Sequence, residues 1–307
     1  MIYAVNADKE IEKINTTYVT KEQLMNSFKP YSDGTAANYG KLVFGKNQSR
    51  TAQEWYILGK DGGVSVDDNT IIFAASPIAV EQVFEDDCWN NKTKSSLWSD
   101  CDYSGVSITE VYPNHYGASD LRVALKGMAT NTSYFTTAEQ GLMNATTVTT
   151  YDYNNRVTYT TTDKLYALAA DGLRNSTIKA GTSDSTVLAM SSYYSNGSRF
   201  WLRSPYGYRG FNVLHAYPGD SVNGDIVNGV YAVQPASNLN LSSVLFASAA
   251  TAASSDTAEA RTIADGTAMT LRFDGTGKNI GTVTYNTTTG DIKVAKGSTS
   301  QTVALVV

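Results

Sequence analysis

Between Phe200 and Ala236 the chain reads FWLRSPYGYRGFNVLHAYPGDSVNGDIVNGVYAVQPA, and Tyr206, Tyr208, Arg209, Phe211, Asn212, His215, Tyr217, Asp220, Ser221, Asn223 and Asp225 crowd this one run. These types do recognition chemistry. Tyr gives broad contact at low rotamer cost, Ser, Gly and Asn adapt their hydrogen bonds, and Arg with a large aromatic completes a set favoured in antibody paratopes. Apolar Trp201, Leu202, Val213, Leu214, Val222, Ile226, Val227, Val230 and Val233 recur between them at intervals that would pin short strands to a core. In NVLHAYP, Leu214 and Ala216 share one face of a strand and His215 and Tyr217 the other. The spacing therefore predicts a scaffold face and a display face. The plainer reading is a Tyr-rich, Gly-turned strand pair with ordinary surface residues. Trp201 and Arg203 are expected in the scaffold, as a buried indole with a hydrogen-bonded guanidinium beside it.

Other chemistry finds less support. His115 and His215 are the only imidazoles, and GxSxG, HExxH, P-loop and dinucleotide fingerprints are absent from the sequence. The chain is expected not to be an enzyme and to carry neither cofactor nor metal, with Asp220 and Asp225 as weak candidates for a structural cation. Cys88 and Cys101 flank a short loop that an oxidising compartment could close with a disulfide. Two reduced loop cysteines, or half of a metal site, are the other readings.

A net charge of −5 and the lack of a Lys/Arg cluster exclude a nucleic-acid footprint, which needs concentrated positive charge. No apolar run approaches the roughly 18–20 residues of a membrane helix, so no membrane insertion is expected. Abundant Thr, Ser, Asn, Gly and Tyr with few charges suit a soluble, β-leaning extracellular protein. The start, MIYAVNADKEIEK, lacks the features of a secretory signal, which leaves a cytoplasmic chain or one whose signal is not included.

The elements that must position the display residues can be read in outline. Thr20 with Gln23, then Leu24, Met25 and Phe28, predicts a helix over 21–28. KLVFG and EWYILGKDGGVSVDDNTIIFAAS predict strands, the latter a hairpin with Trp55, Ile57, Ile71, Ile72 and Phe73 inward. The stretch 81–116 reads as loop. Ser119 caps a helix whose face carries Leu121, Ala124, Leu125 and Met128, and Thr136 with Glu139 opens another. Thr146 to Thr162 reads as a Thr/Tyr/Asn-rich insertion. After Ser248 a polar linker leads to alternating segments that predict a small immunoglobulin-like β-domain, and its ending on Val307 reads as truncation.

The order of residues adds a resemblance. Trp201-Leu202-Arg203-Ser204-Pro205, the altered ending Gly229-Val230-Tyr231-Ala232-Val233-Gln234-Pro235-Ala236, and FGK, EWYIL, YGASDLRVAL and KLYALAADG in that order resemble the C-type-lectin-like domains of bacterial and phage surface proteins, related to the formylglycine-generating-enzyme fold. The likeness covers about 41–245, and Pro235 joins Trp201 and Arg203 as a scaffold residue. Gln234 stands where that family usually carries Arg. Some members are variable proteins of diversity-generating retroelements, whose exposed codons are rewritten while the backbone is kept. The resemblance implies an α+β fold with short helices and antiparallel strands. With it the chain divides into an N-terminal extension with a short helix over 1–40, a ligand-binding domain over 41–247 with a variable segment over 200–236, and the linker and immunoglobulin-like domain read from alternation over 248–307, a trailing domain that many retroelement targets lack. It implies a protein or glycan ligand on a cell or phage-host surface, and an extracellular, cell-surface or phage-particle location. The rival expectations are a fixed adhesin and a spacer without ligand.

Overall fold

The computed structural model describes residues 2–5, 11–14, 18–36, 38–93, 98–173, 177–182, 184, 186–193, 197–207, 209–217, 221–249, 267–273, 281–297 and 303–306. Residues 22–242 form one compact unit, and residues 1–21 with 243–307 form another.

Ten strands make the two main sheets of the larger unit: β1 Lys41–Lys46, β2 Ala52–Ile57, β3 Asn69–Ala74, β4 Ala79–Val83, β5 Tyr166–Ala167, β6 Phe200–Pro205, β7 Asn212–Tyr217, β8 Ser221–Ile226, β9 Val230–Val233 and β10 Pro235–Asn240. Within the unit, β5, β10, β3, β2 and β1 lie side by side in that order, all antiparallel. A second sheet runs β8, β7, β6, β9, β4, antiparallel except where β9 lies parallel to β6. The predicted hairpin is present as β2 and β3, with Tyr56 opposite Phe73, and its five expected inward residues are all buried.

The two sheets share strands of chain at one crossing. β3 leads to β4, β9 leads to β10, and the two pass between the sheets together: the Ile78 N–H donates to the Val233 carbonyl at 2.9 Å, and Gln234 Nε2 donates to the Ala74 carbonyl at 3.1 Å. Gln234 and Pro235 are buried there. Leaving the Ala74 carbonyl unpaired by Gln234→Leu should lower the unfolding free energy by about 1–3 kcal/mol, read from urea denaturation. A change below about 0.5 kcal/mol would mean that the amide contributes nothing.

One buried cluster draws on both sheets, with Ile71, Phe73 and Ala236 from the first and Phe200, Leu202, Leu214, Ala216, Val222 and Ala232 from the second. Fully burying a large apolar side chain contributes about 1.5–3 kcal/mol, so these alternating residues fix the register of β6, β7 and β8.

The expectation of an α+β fold is corrected: the chain is mostly β. The described residues contain four α-helices, α1 Lys21–Asn26, α2 Asp120–Thr130, α3 Thr137–Leu142 and α4 Met190–Tyr193, of which the longest has 11 residues. Much of the surplus strand comes from the stretch read as an insertion, which is the antiparallel hairpin Thr146–Asp152 with Val157–Asp163. Along Thr146–Asp152 burial alternates at every residue, yet Thr occupies inward and outward positions alike. A hydrophobic pattern cannot show such a strand, because the methyl and the hydroxyl of Thr suit either face.

The immunoglobulin-like domain is corrected as well. In the smaller unit Ala268–Phe273 pairs with Val244–Ala249, which pairs in turn with Tyr18–Thr20, and Val303–Val306 pairs with Ile2–Val5. Strands from both ends of the chain thus make these sheets, so the C-terminal segments do not form a sandwich of their own. Gly281–Tyr285 and Ile292–Lys296 form a separate hairpin. Most of the expected linker falls in 250–266, outside the described residues.

The helix signals held locally. Ser119 Oγ accepts the Arg122 N–H at 3.2 Å, and Thr136 with Glu139 makes a reciprocal capping box. On α2 the expected Leu121, Leu125 and Met128 are buried, but so is Arg122. Its guanidinium meets Asp163 at 2.8 Å, Asp100 at 2.9 Å and the Gly117 carbonyl at 3.1 Å. Burial alone would weaken that cation, and the two carboxylates outweigh it.

Candidate ligand-binding face

The second sheet has one side on the core and one facing away, and β7 shows how the sequence divides them. Leu214 and Ala216 belong to the core cluster. His215 pairs across with Trp201 on β6 and Asn223 on β8, Tyr217 pairs with Ser221, and Val213 with Asp225. Because side chains alternate, Trp201, Val213, His215, Tyr217, Asn223 and Asp225 share the other side with Tyr231 of β9.

That side is graded from a buried floor to an exposed rim. Trp201 is the floor: it is buried, its Nε1 donates to the Gln82 carbonyl at 2.8 Å, and its ring lies 4.5 Å from Tyr231 and 6.2 Å from His215. A bulge in β4, with Glu81 at a φ of 60°, sets the register that brings Gln82 opposite Tyr231. Above the floor, His215 lies 4.8 Å from Tyr231. Burial holds its imidazole below the ordinary histidine value, so it is neutral at pH 7. Tyr217 is 38% exposed and forms the rim. The Arg199 guanidinium sits 4.5 Å from the Tyr217 ring and 5.6 Å from the Tyr231 ring, and donates to Tyr231 Oη at 3.1 Å. Tyr231 Oη donates in turn to Asp225, whose other oxygen accepts the Ile226 N–H at 2.7 Å.

Sequence reasoning put eleven residues in the contact surface, and the structure separates them. Tyr217 and Asn223 are exposed on this side, with Asp225 half-buried beside them. His215 belongs to its buried underlayer rather than its surface. Tyr206 packs against the core cluster, with its ring over Gly224, where an added Cβ would come within 2.7 Å of it. Asn212 is half-buried, and its carbonyl accepts from Asn114 Nδ2 at 2.9 Å and from the Tyr206 N–H at 3.0 Å. Ser221 is paired through its backbone. Tyr208 and Asp220 lie outside the described residues. Among the anchors, Val230 is exposed, because the strand it opens lies near the rim.

Arg209 and Phe211 form a second station just before β7. The Arg209 guanidinium is 5.9 Å from the Phe211 ring, and that ring is 5.8 Å from Trp89. Trp89 is 76% exposed, on a turn in which Asp87 Oδ1 accepts the backbone N–H groups of Trp89 and Asn90 at 3.2 Å. Arg199, Tyr231 and Trp89 were missed in the sequence. Arg199 precedes the segment by one residue, Tyr231 sits within the altered motif ending, and the Trp between Asp87 and Asn90 was the one signal for a displayed aromatic.

The scaffold assignments of Trp201, Arg203 and Pro235 agree with their burial. Arg203 donates to the Ala167 carbonyl at 2.8 Å and the Thr149 carbonyl at 3.3 Å, and is ion-paired with Asp184. Cys88 and Cys101 are free, so the disulfide reading does not describe this structure. The Cys101 sulfur is turned to Arg122, 3.9 Å away, and burial pushes its thiol up to about 12, which makes it a poor nucleophile. His115 also does no exposed chemistry. Its Nδ1 accepts the Ala118 N–H at 3.1 Å, Nε2 is 2.6 Å from Tyr103 Oη, its ring stacks on Tyr159, and burial lowers its pKa to about 3.

Among the described residues, Glu85, Asp86 and Asp120 offer carboxylate oxygens within 4.8 Å of one another. Glu85 already accepts a hydrogen bond from Lys92 Nζ, and Asp120 accepts the Asp86 N–H at 3.0 Å. Burial raises the Glu85 pKa from 4.5 to about 7 despite Lys92. Between those values the folded chain holds a proton that the unfolded chain has lost, so this group's contribution to stability falls as pH rises. His115 and His215, depressed by burial, have the opposite slope below pH 6.5. The stability of wild type relative to Glu85→Gln should therefore decline from pH 4.5 to 7, measured by urea unfolding at several pH values. A pH-independent difference would contradict the buried, protonated carboxyl.

A family model described as Domain of unknown function (DUF6273) matches residues 78–241, which include the whole second sheet. No curated protein and no solved structure matches the chain.

Proposed function

The chain belongs to the DUF6273 family, a domain of unknown function, and from its exposed sheet side we propose that it is a non-enzymatic ligand-binding protein, an adhesin or receptor-binding protein acting at a cell or phage surface. The observation that carries this is the division of one segment: Leu214, Ala216 and Val222 lie in the core, while Tyr217, Asn223, Asp225 and Tyr231 lie on the opposite side with Arg199 across them. Fixed anchors beneath replaceable contact residues suit a protein or glycan ligand, with aromatic burial supplying affinity and polar neighbours setting orientation. The resemblance to retroelement variable proteins extends the proposal: the exposed codons of this segment are rewritten in the population while the core codons stay constant.

Sequencing many gene copies across codons 200–236 with their flanking DNA tests that extension. Changes concentrated at Arg209, Phe211, Tyr217, Asn223 and Asp225, and absent from Leu214, Ala216 and Val222, beside an adenine-rich template copy, are expected. A uniform segment with no template would replace diversification by a fixed adhesin. That second reading is favoured by one observation: Tyr206, Asn212 and His215 are held by the fold, which limits how many of the residues could change freely.

A further inference from the structure

We propose, resting on the reading of this side as a ligand-binding face, that its ligand is a linear acidic polysaccharide, held by its carboxylates at two arginine–aromatic stations at the two ends of β7. The first station is Arg199 against Tyr217 and Tyr231, and the second is Arg209 against Phe211 and Trp89.

Among the described residues, seven of the twelve other cations of the larger unit are neutralised locally, and Arg50 rests on the Tyr134 ring away from this sheet. Lys41, Lys60, Lys92, Arg122, Lys126, Lys179 and Arg203 all lie within 4.0 Å of a carboxylate. Arg199 and Arg209 rest on rings instead, with no carboxylate within that distance among the described residues. A guanidinium stacked on an aromatic keeps its edge free, and that edge is a fork of N–H donors matched to a carboxylate. At the first station the guanidinium donates to Tyr231 Oη and also bonds the Tyr217 side chain, which fixes its plane, and a guanidinium with five N–H donors still has others to offer. The chain as a whole carries −5, so an anion drawn to this side is drawn by these two groups rather than by a general field.

The spacing selects the shape of the ligand. From Phe211 to Tyr217 is six residues, about 20 Å of strand at 3.3–3.4 Å each. One small anion cannot reach both stations, whereas an extended polymer with a charge on repeated units can. Asp225, an acceptor-only carboxylate between Tyr231 and the backbone, favours hydroxyl donors beside the first station and disfavours densely charged sulfates or phosphates. Exposed aromatic rings offer flat surfaces to the CH faces of sugar rings. An extended peptide lying on the side of a sheet would leave its amides without the strand partners that an edge provides.

The test uses the intact chain and an oligogalacturonate of eight residues, with its fully methyl-esterified form and the trimer as controls, followed by titration calorimetry. The octamer is expected to bind at least tenfold more tightly than either control. Arg199→Gln and Arg209→Gln should each weaken octamer binding at least tenfold, with circular dichroism melts within a few degrees of wild type, since Arg209 is exposed and Arg199 is half-buried with no carboxylate partner to strand. Equal binding of the ester, insensitivity to both substitutions, or no octamer binding would overturn the acidic polymer. Tyr217→Ala assayed on the ester in parallel keeps the two readings apart. If the ester binds and Tyr217→Ala abolishes it, the face stands and only its ligand class falls. If the octamer or ester binds but Tyr217→Ala, Arg199→Gln and Arg209→Gln all leave it unchanged, ligand is held elsewhere and both fall.

Discussion

Arg122→Met should lower the unfolding free energy by about 3–5 kcal/mol, because it strands the fully buried carboxylate of Asp163. The methionine keeps most of the side-chain volume, so the loss comes from charge and hydrogen bonds rather than from a cavity. Arg122 bonds to Asp163, Asp100 and the Gly117 carbonyl, tying α2 to the Val157–Asp163 strand and to the loop before it. The thermal midpoint should fall by roughly 10 °C, at about 2–4 °C per kcal/mol for a unit of this size. Adding Asp163→Asn removes the orphaned charge, and the double variant should recover a measurable part of the loss. A single-variant cost below about 1 kcal/mol would show that this network is not a major support of the helix. Asp100 belongs to the same arrangement: burial opposes its ionisation, but Arg122 and Lys126 hold its pKa at about 2, so it stays charged throughout the range of such a measurement.

The second large effect is on binding. Replacing Tyr217 and Tyr231 together by Ala should weaken ligand capture at least 100-fold, about 2.7 kcal/mol, in an array carrying both glycans and surface proteins. Tyr217 is a rim residue, so Tyr217→Ala alone should leave the melting midpoint within about 2 °C, consistent with surface substitutions of a few tenths of a kcal/mol. Tyr231 supports the face in a different way: it bridges Arg199 and Asp225, and Tyr231→Phe should release both while keeping the ring over Trp201. If Tyr217→Ala unfolds the chain, that ring is structural. If the double variant binds as wild type does, ligand is held elsewhere. The diversification reading is independent of this result, since a fixed face would lose binding just as fully.

The sequence by itself determined which residues of β7 face the core, because a period of two leaves Leu214 and Ala216 on one side and His215 and Tyr217 on the other once the segment is extended. It also determined the starts of α2 and α3, whose caps are local hydrogen bonds between residues three apart. The β2–β3 hairpin was legible too, as two β-branched and aromatic runs joined by a Gly-rich turn. Tertiary structure alone decided the rest. It buried His215 between Tyr231 and Trp201, and it turned Tyr206 inward over Gly224, although both have the composition of contact residues. It brought Trp89 to Phe211 and Arg199 to Tyr217 from outside the strand, contacts between residues 122 and 18 positions apart that no local pattern encodes. It made the Thr-rich stretch a hairpin and drew strands from both ends of the chain into the smaller unit. The reason is common to all of these. Backbone period and capping act within a few residues, while burial of a polar or aromatic side chain depends on partners that only the closed sheets supply.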